Sequence, residues 1–84
     1  MKTTYTVTAK SLDSKNFAIS YSDLSCLSAK TVVEMLAYAF RQIDVLNEQT
    51  GEVEYTVYKS PDFFCRYDKE VEAMQKVALF LAER

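Results

Sequence analysis

The fold is decided by residues 43–58, which read Ile43-Asp44-Val45-Leu46-Asn47-Glu48-Gln49-Thr50-Gly51-Glu52-Val53-Glu54-Tyr55-Thr56-Val57-Tyr58. The single glycine of the chain, Gly51, lies where a short hairpin loop requires a left-handed backbone. Residues 52–58 then alternate between apolar and polar side chains, which is typical of a half-buried strand. Residues 43–47 could extend a preceding helix, but the loop that follows them favours a strand. We therefore expect a hairpin. The residues expected to be buried on its second strand are Val53, Tyr55 and Val57.

A first hairpin precedes this one in the sequence. Residues 3–9 alternate strictly, so one side of a strand carries apolar residues and the other side carries threonines. Residues 11–16 are polar and turn-forming, and residues 17–22 restore the alternation. The outward positions of both hairpins are mostly Thr, Ser and Glu, and Tyr58 is the only outward aromatic residue. We therefore do not expect the predicted sheet to stack RNA bases.

Each hairpin is followed by a pattern typical of an amphipathic helix. Apolar residues recur every three or four positions between Ala29 and Phe40, which predicts a helix from about Ser28 to Gln42. Ser28 is the expected N-cap of that helix. The pair Ser60-Pro61 is a strong helix-start signal, and the apolar stripe after it predicts a second helix to the end of the chain, with a bend near residues 66–68.

These patterns together predict an α+β fold with the order ββαββα. We expect two layers, in which an antiparallel sheet of about four strands has two helices packed on one face. The chain has 84 residues, of which 49% are hydrophobic and 26% are charged. This size and composition predict one small globular domain over residues 1–84.

The composition argues against several classes of function. Histidine is absent, so the commonest general base and the commonest metal ligand are missing. Cys26 and Cys65 are not in a C-x-x-C spacing, and we expect reduced thiols packed as small hydrophobic residues, with a disulfide as the alternative. Cys65 is flanked by Arg66, but no general base accompanies it. We therefore expect no enzyme activity, no metal and no cofactor.

Charge and hydropathy indicate where the protein works. The net charge of −2 argues against direct binding to nucleic acid or to an anionic membrane. No run of 18 apolar residues occurs, and the N-terminal residues pass directly into a strand pattern. We expect a soluble, cytoplasmic protein.

Acidic residues are concentrated in the second half of the sequence. Residues 1–42 have five basic and three acidic groups, a net charge of +2, whereas residues 43–84 have five basic and nine acidic groups, a net charge of −4. The acidic positions of the second hairpin are Asp44, Glu48, Glu52 and Glu54. They are either a solvated edge that prevents sheet-to-sheet pairing, or a patch that docks on a basic partner. The second interpretation predicts a small inhibitor, of the sort that phages and mobile elements encode, which blocks a basic nucleic-acid-binding protein.

The C-terminal helix has more apolar residues than one buried stripe requires. The candidate contact residues are Phe63, Val77, Leu79 and Phe80. They either pack against the first helix or form an interface with a partner or with a second copy of the chain. Our leading interpretation is a small, non-enzymatic protein-interaction module that docks or self-associates through this helix, and the acidic inhibitor is the alternative.

Overall fold

A four-stranded antiparallel sheet and two helices form the regular structure of the described chain. The computed structural model describes residues 3–10, 18–60 and 67–83. Its elements are β1 (Tyr5–Lys10), β2 (Ala18–Leu24), α1 (Cys26–Leu36), β3 (Gln42–Asn47), β4 (Glu52–Tyr58) and α2 (Tyr67–Glu83). The predicted α+β fold with the order ββαββα is confirmed. Residues 43–47 belong to a strand and do not extend the first helix.

The strands are arranged in the order β2-β1-β3-β4, and each neighbouring pair is antiparallel. At the centre of the sheet, Val7 lies opposite Val45 and Ala9 lies opposite Ile43, and all four side chains are buried. β2 and β4 are the edges of the described sheet. The connection from β2 through α1 to β3 therefore passes over β1, so that α1 covers the middle of the sheet.

The hydrophobic core lies between one face of the sheet and the two helices. Among the described elements, α1 packs against β1, β2 and β3, and α2 packs against α1. The helix residues buried in the core are Ala29, Val32, Leu36, Ala73 and Val77. Phe40, in the segment after α1, is the largest fully buried side chain among the residues that the structure describes. We call the opposite face of the sheet, which carries Thr6 and Thr8, the open face.

Helix α1 begins earlier and ends earlier than the sequence pattern predicts. Its N-cap is Ser25, whose Oγ accepts a hydrogen bond from the Ser28 backbone N–H at 3.1 Å, so the prediction of Ser28 as the cap is wrong. The helix ends at Leu36 and not near Gln42. The reason lies in the sheet: the Arg41 N–H donates to the Lys10 carbonyl at 3.2 Å, so the chain has already joined β1 at this point.

Two irregularities in strand pairing change the faces that side chains occupy. In the first, Tyr5 pairs with Leu24 but Val7 pairs with Tyr21, so β2 has one extra residue. Asp23 adopts a positive φ of 59° at this bulge, and Leu24 is turned into the core, where it is fully buried. In the second, Val45 pairs with Tyr55 but Leu46 pairs with Val53, so β4 has one extra residue between them.

The second irregularity overturns the expected burial of β4. Val53 and Tyr55 are 52% and 59% exposed, and only Val57 is partly buried. β4 lies at the edge of the sheet, beyond the strands against which α1 packs, so no described helix covers it closely. The bulge also moves Val53 to the side of Leu46, which is opposite to the side that Tyr55 shares with Val45.

Helix α2 comprises 17 residues, from Tyr67 to Glu83. The predicted start at Ser60-Pro61, the bend near residues 66–68 and the positions of Phe63 and Cys65 lie at least partly outside the described residues. Neither α1 nor α2 is both long enough and apolar enough to cross a membrane.

Candidate functional site

An open cleft of about 400 Å³ separates α1 from the edge of the sheet formed by β3 and β4. Its volume falls within the range of about 300–1,000 Å³ that is usual for ligand-binding clefts. The residues that line it are Tyr5, Cys26, Ala29, Lys30, Val33, Glu34, Val45, Glu54 and Tyr55. The cleft exists because α1 lies over the middle strands and leaves the helix-facing side of β4 accessible.

The cleft combines apolar walls with a few charged groups. Ala29 and Val45 are buried at its base, and Val33 is partly buried on the α1 side. Lys30 and Glu34 come from α1, one helical turn apart, and Glu54 comes from the opposite side, on β4. An apolar cleft with a few convergent polar groups is the arrangement that binding sites prefer.

The bulge in β4 places Glu54 in the cleft. Strict alternation along β4 would put Glu54 on the open face, between Val53 and Tyr55. Because the bulge adds one residue at this point, Glu54 instead lines the cleft beside Tyr55. The Asn47 Nδ2 amide donates a hydrogen bond to its carboxylate. Asn47 is itself buried and accepts from the Gln49 backbone N–H at 2.9 Å, so the turn between β3 and β4 supports the position of Glu54.

Tyr5 contributes a hydroxyl group to the cleft. Desolvation of the phenol raises the pKa of Tyr5, and electrostatic interactions with Glu54 and then Cys26 raise this pKa further. Both effects disfavour the phenolate, so the Tyr5 hydroxyl remains a hydrogen-bond donor at neutral pH. Cys26 is a free thiol at the first residue of α1, and it is exposed. The prediction of a packed, buried thiol is therefore wrong for Cys26, while Cys65 lies outside the described residues.

The four acidic residues of the predicted patch do not share one surface. Asp44 lies on the open face, where it accepts hydrogen bonds from Thr56 Oγ1 at 3.0 Å and from Gln42 Nε2 at 3.3 Å. Glu54 lies in the cleft, on the other face. Glu52 is exposed at the start of β4, opposite Asn47. The bulge separates these carboxylates, so the hairpin does not present a continuous acidic face.

Glu48 is committed to contacts within the fold. Its carboxylate accepts hydrogen bonds from the hydroxyl groups of Thr4 and Thr6, both at 2.7 Å, and from the Asp23 backbone N–H at 2.8 Å. These three donors lower the pKa of Glu48 below its ordinary value of 4.5. Asp23 is the left-handed residue of the β2 bulge. Glu48 therefore ties the second hairpin to the bulge across β1, which is a structural role.

The predicted contact residues of α2 also differ in burial, so they do not form one surface. Val77 is fully buried and belongs to the core, so it is not part of a surface, and Phe80 is partly buried against the core. Leu79 is 64% exposed. Phe63 lies outside the described residues. The alternative in which this helix packs against α1 accounts for Val77, and the apolar surface left on α2 is narrower than the sequence suggests.

The cleft itself was not predicted. The alternation of residues 52–58 predicts Tyr55 as a buried residue, and no sequence pattern brings it together with Lys30 and Glu34. The signal that could have revealed the site is the position of Tyr55 on a strand with acidic neighbours near the end of the sheet, where a core is thin. No family model matches the chain, and no curated protein or solved structure matches it either.

Proposed function

We propose that this protein is a non-enzymatic, cytoplasmic protein-interaction module that binds an extended segment of a partner protein along the outer edge of β4. Side chains of that segment would enter the cleft between α1 and β4. The observation that carries the proposal is an edge strand with exposed apolar side chains beside an accessible cleft. The exposed free thiol of Cys26 fits a reducing compartment such as the cytoplasm.

The side chains of β4 support binding at this edge. Val53, Tyr55 and Tyr58 are each more than half exposed, although they lie on one seven-residue strand. Native edge strands are often protected by charges, by bulges or by a cover, because unpaired backbone groups attract other strands. In β4 the charges and the bulge lie in the first half of the strand, and the second half, from Tyr55 to Tyr58, has no charged residue. At sites that add a strand from a partner, backbone hydrogen bonds supply affinity and side-chain pockets supply specificity. Exposed tyrosines on such an edge offer large apolar contact areas to the added segment.

The C-terminal end of β4 is held in place by contacts of Tyr58 and Lys59 with Arg41. The Arg41 guanidinium donates from Nη2 to the Tyr58 hydroxyl at 3.1 Å and lies 5.6 Å from the centre of the Tyr58 ring. The Lys59 backbone N–H donates to the Arg41 carbonyl at 2.8 Å. A preorganised edge loses less conformational entropy when a partner binds.

A matched pair of tyrosine substitutions tests the proposal. A random peptide library is selected against the wild-type protein, and the dissociation constants of the enriched peptides are measured for Tyr55→Lys and Tyr38→Lys. Tyr55 lines the cleft, whereas Tyr38 is 84% exposed on the turn after α1, outside the cleft lining. We expect Tyr55→Lys to weaken binding by about tenfold or more and Tyr38→Lys to change it little.

Two results would contradict the proposal. One is that no peptide is enriched, and the other is that Tyr55→Lys and Tyr38→Lys bind the enriched peptides as wild type does. Circular dichroism of each variant checks that the fold is retained. We expect it to be retained, because both tyrosines are exposed and neither substitution opens a cavity.

Association through α2 is the second candidate, and the exposure of Leu79 is the observation that favours it. Ala78 and Ala82 are exposed close to Leu79 on the helix, so a small apolar surface remains there. Sedimentation velocity of the wild type and of Leu79→Lys tests this candidate. A dimer that is lost in Leu79→Lys and kept in Tyr55→Lys would favour α2 over β4 as the interface.

The acidic-inhibitor alternative receives less support from the structure. Its four carboxylates point to different sides of the hairpin, and that of Glu48 is held by three internal donors. Glu54, which lines the cleft, is the acidic residue best placed to contact a partner.

A further inference from the structure

The charged groups of the cleft determine whether an acidic or a basic side chain is favoured there. Two carboxylates, Glu34 and Glu54, and one ammonium group, Lys30, line the cleft. The lining is therefore net negative by one charge. Two tyrosine rings, those of Tyr5 and Tyr55, lie among these charges. Any side chain that enters would meet both carboxylates and the Lys30 ammonium group. The balance of these charges favours a positively charged side chain by one charge, and the two aromatic rings add to its attraction.

Glu54 is fixed in position by two independent features. The bulge in β4 turns the side chain toward α1, and the Asn47 amide donates to one of its oxygens, Oε2. Bulges often serve to redirect a side chain next to a functional site. Within residues 3–10, 18–60 and 67–83, the hydrogen bond from Asn47 is the one polar contact of this carboxylate, so Oε1 is available to a further donor. A carboxylate that is held in place loses little entropy when it binds.

The two charged residues of α1 leave the Glu54 carboxylate available. Lys30 and Glu34 form no ion pair with each other or with Glu54 among the described residues, although i,i+4 neighbours on a helix often pair. The ion pairs present in the described chain are those of Lys69 and Lys76 with Glu72, on α2. The cleft therefore has a positioned acceptor whose charge is not already neutralised.

We infer that the cleft recognises a lysine or arginine side chain of the segment that binds along β4. This inference rests on the proposed function, because the segment must lie on β4 to present the side chain. Neighbouring strands lie about 4.8 Å apart, so a residue opposite Tyr55 projects a long side chain across the tyrosine ring toward Glu54. Guanidinium and ammonium groups bind carboxylates through charge-assisted hydrogen bonds and also bind the faces of aromatic rings.

Selections against charge variants of Glu54 test this inference. The same random peptide library is selected against the wild type, Glu54→Gln, Glu54→Lys and the matched control Glu52→Gln. Glutamine at position 54 keeps an acceptor for the Asn47 amide, so the fold and the bulge are retained. Glu52→Gln makes the same change in net charge as Glu54→Gln. Glu52 is an exposed carboxylate two residues away that does not line the cleft, so this variant leaves the charges of the cleft unchanged.

We expect wild type and Glu52→Gln to enrich peptides with lysine or arginine at one fixed position. Glu54→Gln should lose that preference and bind the wild-type peptides about tenfold more weakly, and Glu54→Lys should prefer an acidic residue at the same position. For the peptide with the lowest dissociation constant, replacement of its basic residue by glutamine should raise the dissociation constant about tenfold for the wild type. The same replacement should raise it much less for Glu54→Gln.

The outcomes separate this inference from the proposed function. If peptides bind in a Tyr55-dependent way but show no basic position, or if Glu54→Gln keeps the basic preference, the inference is wrong and binding at β4 stands. If no peptide is enriched, or if binding does not depend on Tyr55, both are wrong.

Discussion

Glu48 shows how one residue can look functional in sequence and be structural in the fold. Its three hydrogen bonds depress its pKa in the folded protein, so its stabilising contribution is present above pH 4.5, its ordinary pKa, and is lost as the pH falls through the depressed value. We predict that Glu48→Gln lowers the melting temperature at pH 7 by several degrees, whereas the exposed control Glu52→Gln changes it little. The gap between wild type and Glu48→Gln should narrow below pH 4.5, because protonation makes the wild-type carboxyl group resemble the amide. Thermal melts between pH 2.5 and 7 measure this. A gap that is constant with pH would show that these hydrogen bonds do not act through the charge of Glu48.

The secondary-structure elements show which parts of the fold are encoded locally. The alternation of residues 52–58 and the glycine at position 51, with its φ of 75°, predicted the second hairpin correctly, because turn and strand preferences act over a few residues. The cap of α1 was misplaced because Ser25 and Ser28 both fit the local pattern, and the choice depends on where β2 ends. We predict that Ser25→Ala destabilises the protein by about 1 kcal/mol, or about 4–8 °C in melting temperature, and that Ser28→Ala costs clearly less. Urea denaturation of both variants measures the difference, and a larger loss in Ser28→Ala would contradict the assignment of the cap.

At the scale of the whole molecule, the cleft depends on relations that no single segment encodes. The sequence predicted the layers and the order of elements, but it did not predict that β4 would be an edge strand that neither described helix covers. The bulge that places Glu54 in the cleft results from the pairing of β4 with β3, and the alternating sequence of β4 conceals it. Tyr55 and Glu54 could therefore be assigned to a common site only once the strand order and register were known.

Hydrogen–deuterium exchange tests the central claim, the addition of a strand to β4, most directly. Amide exchange is measured for the free protein and for the protein bound to its best selected peptide. If the peptide pairs with β4, backbone amides within Glu52–Tyr58 should exchange more slowly in the complex, because their outward-facing N–H groups gain hydrogen-bond partners. Slower exchange in α2 around Leu79, with β4 unchanged, would contradict the claim and identify the C-terminal helix as the binding surface.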